Sequence, residues 1–505
     1  MDKIKSLDAL AEILVGLKSE GEAVVQCHGV FDLLHPGHIR HLAEARRQGS
    51  ILVVTITCDG HVNKGPGRPV FEQNLRAETL ASLESVDFVA ISESPTAVDA
   101  INKVRPDVYV KGSDYADPDD DVTGKIVNET ETVAAVGGRI HFTSNIMFSS
   151  SSLINQHVLS FSPETERWLA EFRKTHTGDD ALAALESIAG LRVLVLGEAI
   201  IDEYVFCSGL GKAAKDPILA FLYENMEAFA GGSLAVANHL GDFCKSVDLV
   251  SLIGEVDSHE KFITDAVHAN VNWHGITRKG SPTLRKRRFV DDHTGAKIFE
   301  LYHMDDDPLD GDTEQALLDT LRELLKDIDL VVVADYGHGM MTPAVVDLLT
   351  RDSKFLAVNT QANAGNRGFS TITKYLRADY VCLAGHEMTL ETRMRHAGEH
   401  ENLRELAKRI DCPRFTITVG RAGSIHMDEN GDIYQAPAVA PKIVDRVGAG
   451  DAVLAITSAL VCVGAPWDMT ALIGNAAGAE LVAELGNRVS LSKAGLSKHL
   501  ISLLK

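Results

Sequence analysis

Near the carboxyl end, Asp445-Arg446-Val447-Gly448-Ala449-Gly450-Asp451 is a run that could do phosphorus chemistry. Glycines on both sides of Ala449 let the backbone approach an anion, and the apolar run Ala452–Ile456 reads as a helix whose first amide hydrogens point back at it. The Gly448, Ala449 and Gly450 amides would then form an anion hole for charge building on a transferring phosphoryl group. Asp451 would take the proton of the attacking hydroxyl. A second constellation lies far upstream, in His35-Pro36-Gly37-His38. Two imidazoles three residues apart at a helix start can face the same way and donate to phosphate oxygens during displacement at an α-phosphate. Each pattern has a plainer reading: a tight turn into a core helix for the first, a polar helix cap for the second.

The elements that must position these residues follow from patterning. Ala23–Cys27 reads as a short strand and Ile39–Arg47 as a helix, so the histidines fall at a strand-to-helix turn, the ligand edge of a doubly wound sheet. The strand Val108–Val110 delivers Lys111 to the same edge, where it could pair with a phosphate. From Ser162-Pro163-Glu164 a helix is signalled by its N-cap, its first-turn proline and its acids. A boundary is expected near residue 160, with a helical connector over 161–190. A second alternation of strands and helices then opens at Val193–Leu196, which brings Asp202 to a ligand edge where its carboxylate could accept from two sugar hydroxyls. Ile218–Tyr223 and Phe289–Tyr302 are rich in β-formers and predict a small lid, and Gly231-Gly232 opens a helix and is read as close backbone approach to a ligand, with tight helix packing as the alternative. Leu330–Gly337 and Phe415–Gly423 read as buried parallel strands ending in glycine turns. Arg285-Lys286-Arg287-Arg288 forms a basic run at the lid, read either as a solvated strand face or as a hold on a substrate phosphate, with Arg288 taken as substrate-binding.

Composition bounds the partners. A chain of 505 residues predicts two to four domains, and a net charge of −22 argues against nucleic-acid and anionic-membrane partners. The seven cysteines are scattered with no C-x-x-C pair, which predicts reduced thiols and a cytoplasmic protein. The apolar face of Leu7, Leu10, Ile13, Leu14 and Leu17 is interrupted by charges and is not an export signal, and the longest apolar stretch is shorter than a bilayer span.

With the residues in view, two resemblances emerge. Gly29 to His38 with its His-Pro-Gly-His run, Val62–Val70, Arg76, Ser85–Val89 and Arg105–Tyr115 together resemble the cytidylyltransferase-like nucleotidyltransferases over about residues 22–155; the plainer reading of Arg76 is a helix-surface arginine. The resemblance implies that His35, His38 and Lys64 contact a triphosphate, that Ser150 and Ser151 within Ser149–Ser152 do so too, and that Gly29, Phe31 and Lys111 belong to the nucleotide site. The Arg-Thr-Glu-Gly-Ile-Ser signature of the glycerol-phosphate and choline-phosphate branches is absent; Ser144–Ser149 stand there instead, nearer the heptose branch. The landmarks from Val193 onward, in this order and ending in the Asp445–Asp451 run, resemble the ribokinase-like (PfkB) carbohydrate kinases over about residues 185–500. That likeness implies Asp451 as base, with Asp202, Gly231, Gly232 and Asn238 at the sugar and Thr418, Gly420, Gly423 and Asn475 near ATP. The family's Asn-x-x-Glu element, which supports Mg2+, stands here as Ala384-Gly385-His386-Glu387, leaving Glu387 as the metal-side residue.

The expected fold is therefore α/β: a doubly wound, Rossmann-like nucleotidyltransferase domain over 1–160, and a ribokinase-like domain with a small β lid over 191–505. The pair resembles the bifunctional heptose-phosphate kinase/adenylyltransferases with the modules in the opposite order. It implies ATP as phosphoryl donor, ATP or CTP as nucleotidyl donor, Mg2+, and a homodimer. Rival readings are a polyol or pentose kinase joined to a cytidylyltransferase, a nicotinamide riboside kinase/adenylyltransferase, and a binding or scaffolding protein whose kinase half is inactive, which Ala384 favours.

Overall fold

The structure is a computed structural model that describes residues 3–62, 65–112, 125–143, 161–305 and 307–505. It divides into two compact units, 1–160 with 497–505, and 161–496.

In the first unit, strands β1 (Val24–Gly29), β2 (Ile51–Thr57), β3 (Phe88–Ser92), β4 (Val108–Gly112) and β5 (Arg139–Thr143) form one sheet in the order β3-β2-β1-β4-β5. Every pairing is parallel. Alternate residues of β1 feed different cores: Val24 packs with Leu10, Leu14 and Val53, whereas Val25 and Cys27 pack with Leu42, Leu52 and Val54. Apolar residues on both faces of a strand are what a doubly wound sheet requires. The order reverses at β1, between β2 and β4, and the turn carrying His35 and His38 leaves the carboxyl end of that strand, the usual place for a ligand crevice.

In the second unit a sheet runs in the order β10-β9-β6-β13-β14-β15-β16-β17-β18. Its strands are β6 (Arg192–Gly197), β9 (Ser246–Val256), β10 (Val271–Pro282), β13 (Leu330–Asp335), β14 (Leu356–Thr360), β15 (Tyr380–Ala384), β16 (Phe415–Thr418), β17 (Ser424–Met427) and β18 (Ile433–Ala436). Pairing is parallel from β10 to β16 and antiparallel beyond. The buried runs Val193–Leu196 and Leu330–Val333 make its centre.

A second sheet, β12-β11-β7-β8, is the lid, built from β7 (Ala199–Lys212), β8 (Leu219–Gly232), β11 (Arg285–Asp291) and β12 (Lys297–His303). Its register sets Lys286 opposite Asp202 and Arg288 opposite Tyr204. Side chains alternate along β11, so Lys286, Arg288 and Val290 are buried while Arg285, Arg287 and Phe289 are only partly covered.

The helix signalled at residue 162 forms over Pro163–Phe172, with the Ser162 hydroxyl accepting from Thr165 N and proline in the first turn. It is followed by Gly178–Ser187, held by a capping box between Thr177 and Asp180. Both helices belong to the second unit.

Candidate active sites

The glycine turn of the second unit folds as a helix mouth. Gly448 is the N-cap of Ala449–Cys462 at φ +85°, a conformation that an L side chain rarely adopts. A Cβ there would lie 2.0 Å from Asn487 Oδ1, so space as well as backbone demands glycine. Asp445 holds the turn from below: its carboxylate accepts from Tyr204 Oη (2.9 Å), Lys297 Nζ (2.6 Å), Arg446 N (2.7 Å) and Gly486 N (3.2 Å). These partners outweigh its desolvation and keep the carboxyl below its ordinary range.

Asp451 opens into a cleft of about 690 Å³ whose walls include Asp202, Gly232, Lys286, Arg288, Lys297 and Gly448. Tyr336 Oη donates to one oxygen, Asp451 Oδ1, at 2.9 Å, and no hydrogen bond from a described residue falls on Oδ2. Desolvation in the cleft, with the charge of Asp202 adding to it, pushes the Asp451 carboxyl up from 3.8 to about 7, against the opposing pull of Tyr336 and Lys286. That is where a general base working near neutrality is most effective. Tyr336 is itself fixed, its N donating to Glu198 and its carbonyl accepting from Asn363 and Asn366.

Asp202 is not a free acceptor for two hydroxyls. It is ion-paired with Arg288, which also donates to Glu300 (2.6 Å), and its second oxygen accepts from Asn487 Nδ2 at 3.2 Å. A Cβ on Gly231 would sit 2.1 Å from Asp202 Oδ2, and one on Gly232 would sit 2.6 Å from Glu198 O. The glycine pair is thus explained by close approach of a carboxylate and a backbone carbonyl. Lys286 lies over the rings of Tyr302 and Tyr336, and burial pulls its ammonium pKa down.

The remaining kinase-side residues fall elsewhere. Asn238 is buried and pins a loop, donating to Ala266 O (2.9 Å) and accepting from His268 N (2.8 Å), and it is not among the cleft walls. Thr418 pairs with Ser424 across the β16–β17 turn, which contains Gly420 and Gly423. A Cβ on Gly423 would meet Ala436 O at 2.0 Å, and Asn475 donates to Ala436 O and Pro437 O, so these two serve the packing of that turn. Gly420 has open space on its Cβ side. Glu387 caps the helix Gly385–Thr392, accepting from Ala384 N (2.7 Å) and Ala362 N (3.1 Å), and burial pushes its carboxyl up to about 7. Among the described residues no group of three or more His, Cys, Asp and Glu could hold a metal ion.

In the first unit His35 is the N-cap of Pro36–Arg46, its Nδ1 accepting from Gly37 N at 3.1 Å. Its ring stacks on His38 at 4.0 Å, and Phe31, in a left-handed conformation, leans on His38 at 5.3 Å. A Cβ on Gly29 would press on the Phe31 ring at 3.2 Å. Burial keeps the His35 pKa below its ordinary value. Lys111 is 2.7 Å from Glu129, which also accepts from Tyr109 Oη, so its ammonium sits in a mostly buried ion pair rather than opening on the sheet edge. Lys64, Ser150 and Ser151 lie outside the described residues.

Arg76 is not the helix-surface arginine its helical position suggests. It is 2% exposed and donates to Phe71 O, Val30 O, Thr57 O and Asp59, stapling its helix to the strand ends. Sequence reasoning missed Tyr336, Lys297 and Asn487, and within the basic run it singled out Arg288 but not Lys286. Tyr336 directly follows the carboxyl end of β13, and Lys286 sits in phase with Arg288, so both positions carried a readable signal.

Residues 191–494, more than half of the chain, match the model of the pfkB family of carbohydrate kinases, and the chain belongs to that family. Residues 27–157 match the cytidylyltransferase-like family. Two proteins named "Bifunctional protein HldE" are similar to the N-terminal part: that of Citrifermentans bemidjiense is 39% identical over 160 residues and that of Geobacter sulfurreducens 37% over 159. Each alignment covers 31% of this chain and 31% of the relative, so the chain spans about a third of the curated relatives it matches. Among solved structures, phosphofructokinase-2 from Escherichia coli in complex with potassium superposes with a TM-score of 0.51 at 16% identity, covering 62% of this chain and 100% of that one. The same enzyme with fructose-6-phosphate gives 0.50 at 14%. At such identities the likeness shows the fold alone. Among the described residues no helix is long and apolar enough to cross a membrane.

Proposed function

We propose that this chain phosphorylates a sugar or sugar phosphate with ATP in the second unit, and in the first joins the resulting phosphate to a nucleotide, giving a nucleotide-activated, heptose-like sugar. The observation that carries this reading is Asp451: a carboxylate at a glycine-capped helix mouth, with a pKa near neutrality, one oxygen held by Tyr336, facing a cleft lined by cations. In the kinase step Asp451 takes the proton from the sugar hydroxyl as its oxygen bonds to the γ-phosphorus. The bond from that phosphorus to the β–γ bridging oxygen breaks, and ADP leaves. The first amides of the helix take up the charge on the phosphoryl oxygens. Lys286 and Arg288, positive charges inside a chain of net charge −22, suit a substrate that already carries phosphate.

In the first unit an oxygen of the sugar phosphate attacks the α-phosphorus of ATP or CTP, the α–β bridge breaks, and pyrophosphate leaves. His35 and His38 would steady the phosphate oxygens there. Mg2+ commonly takes only one or two protein carboxylates, completing its shell with phosphates and water. Glu387, each oxygen accepting one backbone N–H and keeping lone pairs, fits such a role through water. When bound, the ion supplies charge neutralisation at the triphosphate. Reduced thiols and ATP use support a cytoplasmic setting. The exposed apolar residues of the lid strands, among them Leu219, Leu222, Tyr223, Met226, Phe299 and Leu301, support a homodimer.

The test follows ADP and pyrophosphate release separately across a panel of sugars and sugar phosphates with ATP and CTP. Asp451→Asn should lower ADP release by about 10²- to 10⁴-fold and leave pyrophosphate release from a supplied sugar 1-phosphate intact. His38→Ala should do the converse. Loss of both activities together in either variant would refute separate sites.

A further inference from the structure

Two arginines lie buried beside the turn that leaves β1, and they differ in one respect. Arg76 spends its guanidinium on three carbonyls and a carboxylate. Arg68 has a side chain only 1% exposed, and its Nε donates to Asp32 Oδ2 at 2.6 Å, yet Nη1 and Nη2 are buried with no hydrogen-bond partner among the described residues. Asp32 is equally enclosed, its side chain 0% exposed, and its other oxygen is taken by Val70 N (2.6 Å) and Phe71 N (3.3 Å). The carboxylate therefore fixes one edge of the guanidinium and has little capacity left for the other.

A buried charged donor without an acceptor is costly, and native proteins rarely tolerate one without a reason. The terminal fork of a guanidinium matches two oxygens of a phosphate. Location gives the reason its chemistry. Asp32 stands three residues before His35 at the carboxyl edge of β1, so the pair is tied to the same turn as the stacked imidazoles. We propose that Arg68 is a phosphate ligand of the first unit, oriented by Asp32 so that Nη1 and Nη2 receive the oxygens of a phosphate in the nucleotidyl-transfer site. The inference rests on the nucleotidyl-transfer reading for its substrates. The phosphate has two sources, the nucleotide triphosphate or the sugar phosphate.

The test measures binding by calorimetry on the full chain with three probes: inorganic pyrophosphate, α,β-methylene-ATP and mannose 1-phosphate as a stand-in sugar phosphate. Arg68→Lys keeps the charge beside Asp32 and removes the fork. It should weaken pyrophosphate and the ATP analogue by about 10- to 100-fold if the triphosphate is the ligand, or mannose 1-phosphate alone by that factor if the sugar phosphate is. Unchanged affinity for all three, or no binding of any of them by the parent chain, overturns the assignment. Because a buried variant can misfold, a crystal structure of the unaltered chain soaked with pyrophosphate and with mannose 1-phosphate gives an independent answer. A phosphate oxygen within about 3 Å of Nη1 or Nη2 supports the proposal, and phosphates bound only elsewhere overturn it. A parent chain that binds pyrophosphate through Arg68 but forms no nucleotide sugar from any tested pair would retain the phosphate site and refute the substrate reading.

Discussion

At the scale of single residues, Tyr336 and Asp451 set the pH behaviour of the kinase site. The Tyr336 hydroxyl favours the charged carboxylate, so Tyr336→Phe should move the acid limb of the kcat profile upward from about 7 while leaving the sugar KM little changed. A merely structural tyrosine would lower kcat without moving that limb. The same carboxyl bears on stability. Its folded pKa of about 7 lies above its ordinary 3.8, so between these values the folded chain holds a proton that the unfolded chain has lost. Stability therefore falls as pH rises through that window. Asp451→Asn should melt above the parent at pH 8, with the difference fading near pH 4, as read by thermal denaturation at both pH values.

At the scale of elements, the two glycine turns act as spacers for carboxyl chemistry. Gly231→Ala would put a methyl group 2.1 Å from Asp202 Oδ2, inside any tolerable contact, and must push the carboxylate from Arg288. The expected result is a sugar KM raised about tenfold or more, the size of one lost charged hydrogen bond, with kcat less affected. Steady-state kinetics checks it. An unchanged KM would remove Asp202 from the substrate side. The Asp445–Asp451 turn was legible as a helix mouth because its glycines and the apolar run after it obey local rules. Asn238 was less legible: the family resemblance put it at the sugar, whereas its side chain satisfies the backbone at Ala266 and His268, partners 28 to 30 residues away that local pattern does not reveal.

At the scale of the whole molecule, a parallel α/β architecture with two ligand edges was readable from strand–glycine–helix alternation, and the lid from its β-formers. What the sequence withheld were long-range pairings. Lys111 meets Glu129, Tyr336 meets Asp451 115 residues away, and Lys297 meets Asp445 across 148. The exposed apolar lid residues give the prediction at this scale: light scattering should find about twice the 54.6 kDa chain mass, and Leu222→Glu with Met226→Glu should return it to one. A parent chain already at monomer mass would rule the dimer out.

Four consecutive cations on β11 have a consequence for how the lid tolerates change. A slip of one residue reverses every side chain of a strand, and in most sequences it would swap charge for grease. Here it would offer the cleft Arg285 and Arg287 in place of Lys286 and Arg288. The field over the bound sugar would survive such an insertion, whereas the particular embrace of Asp202 would not, so variants of this hairpin should lose selectivity among anionic substrates before they lose attraction for them.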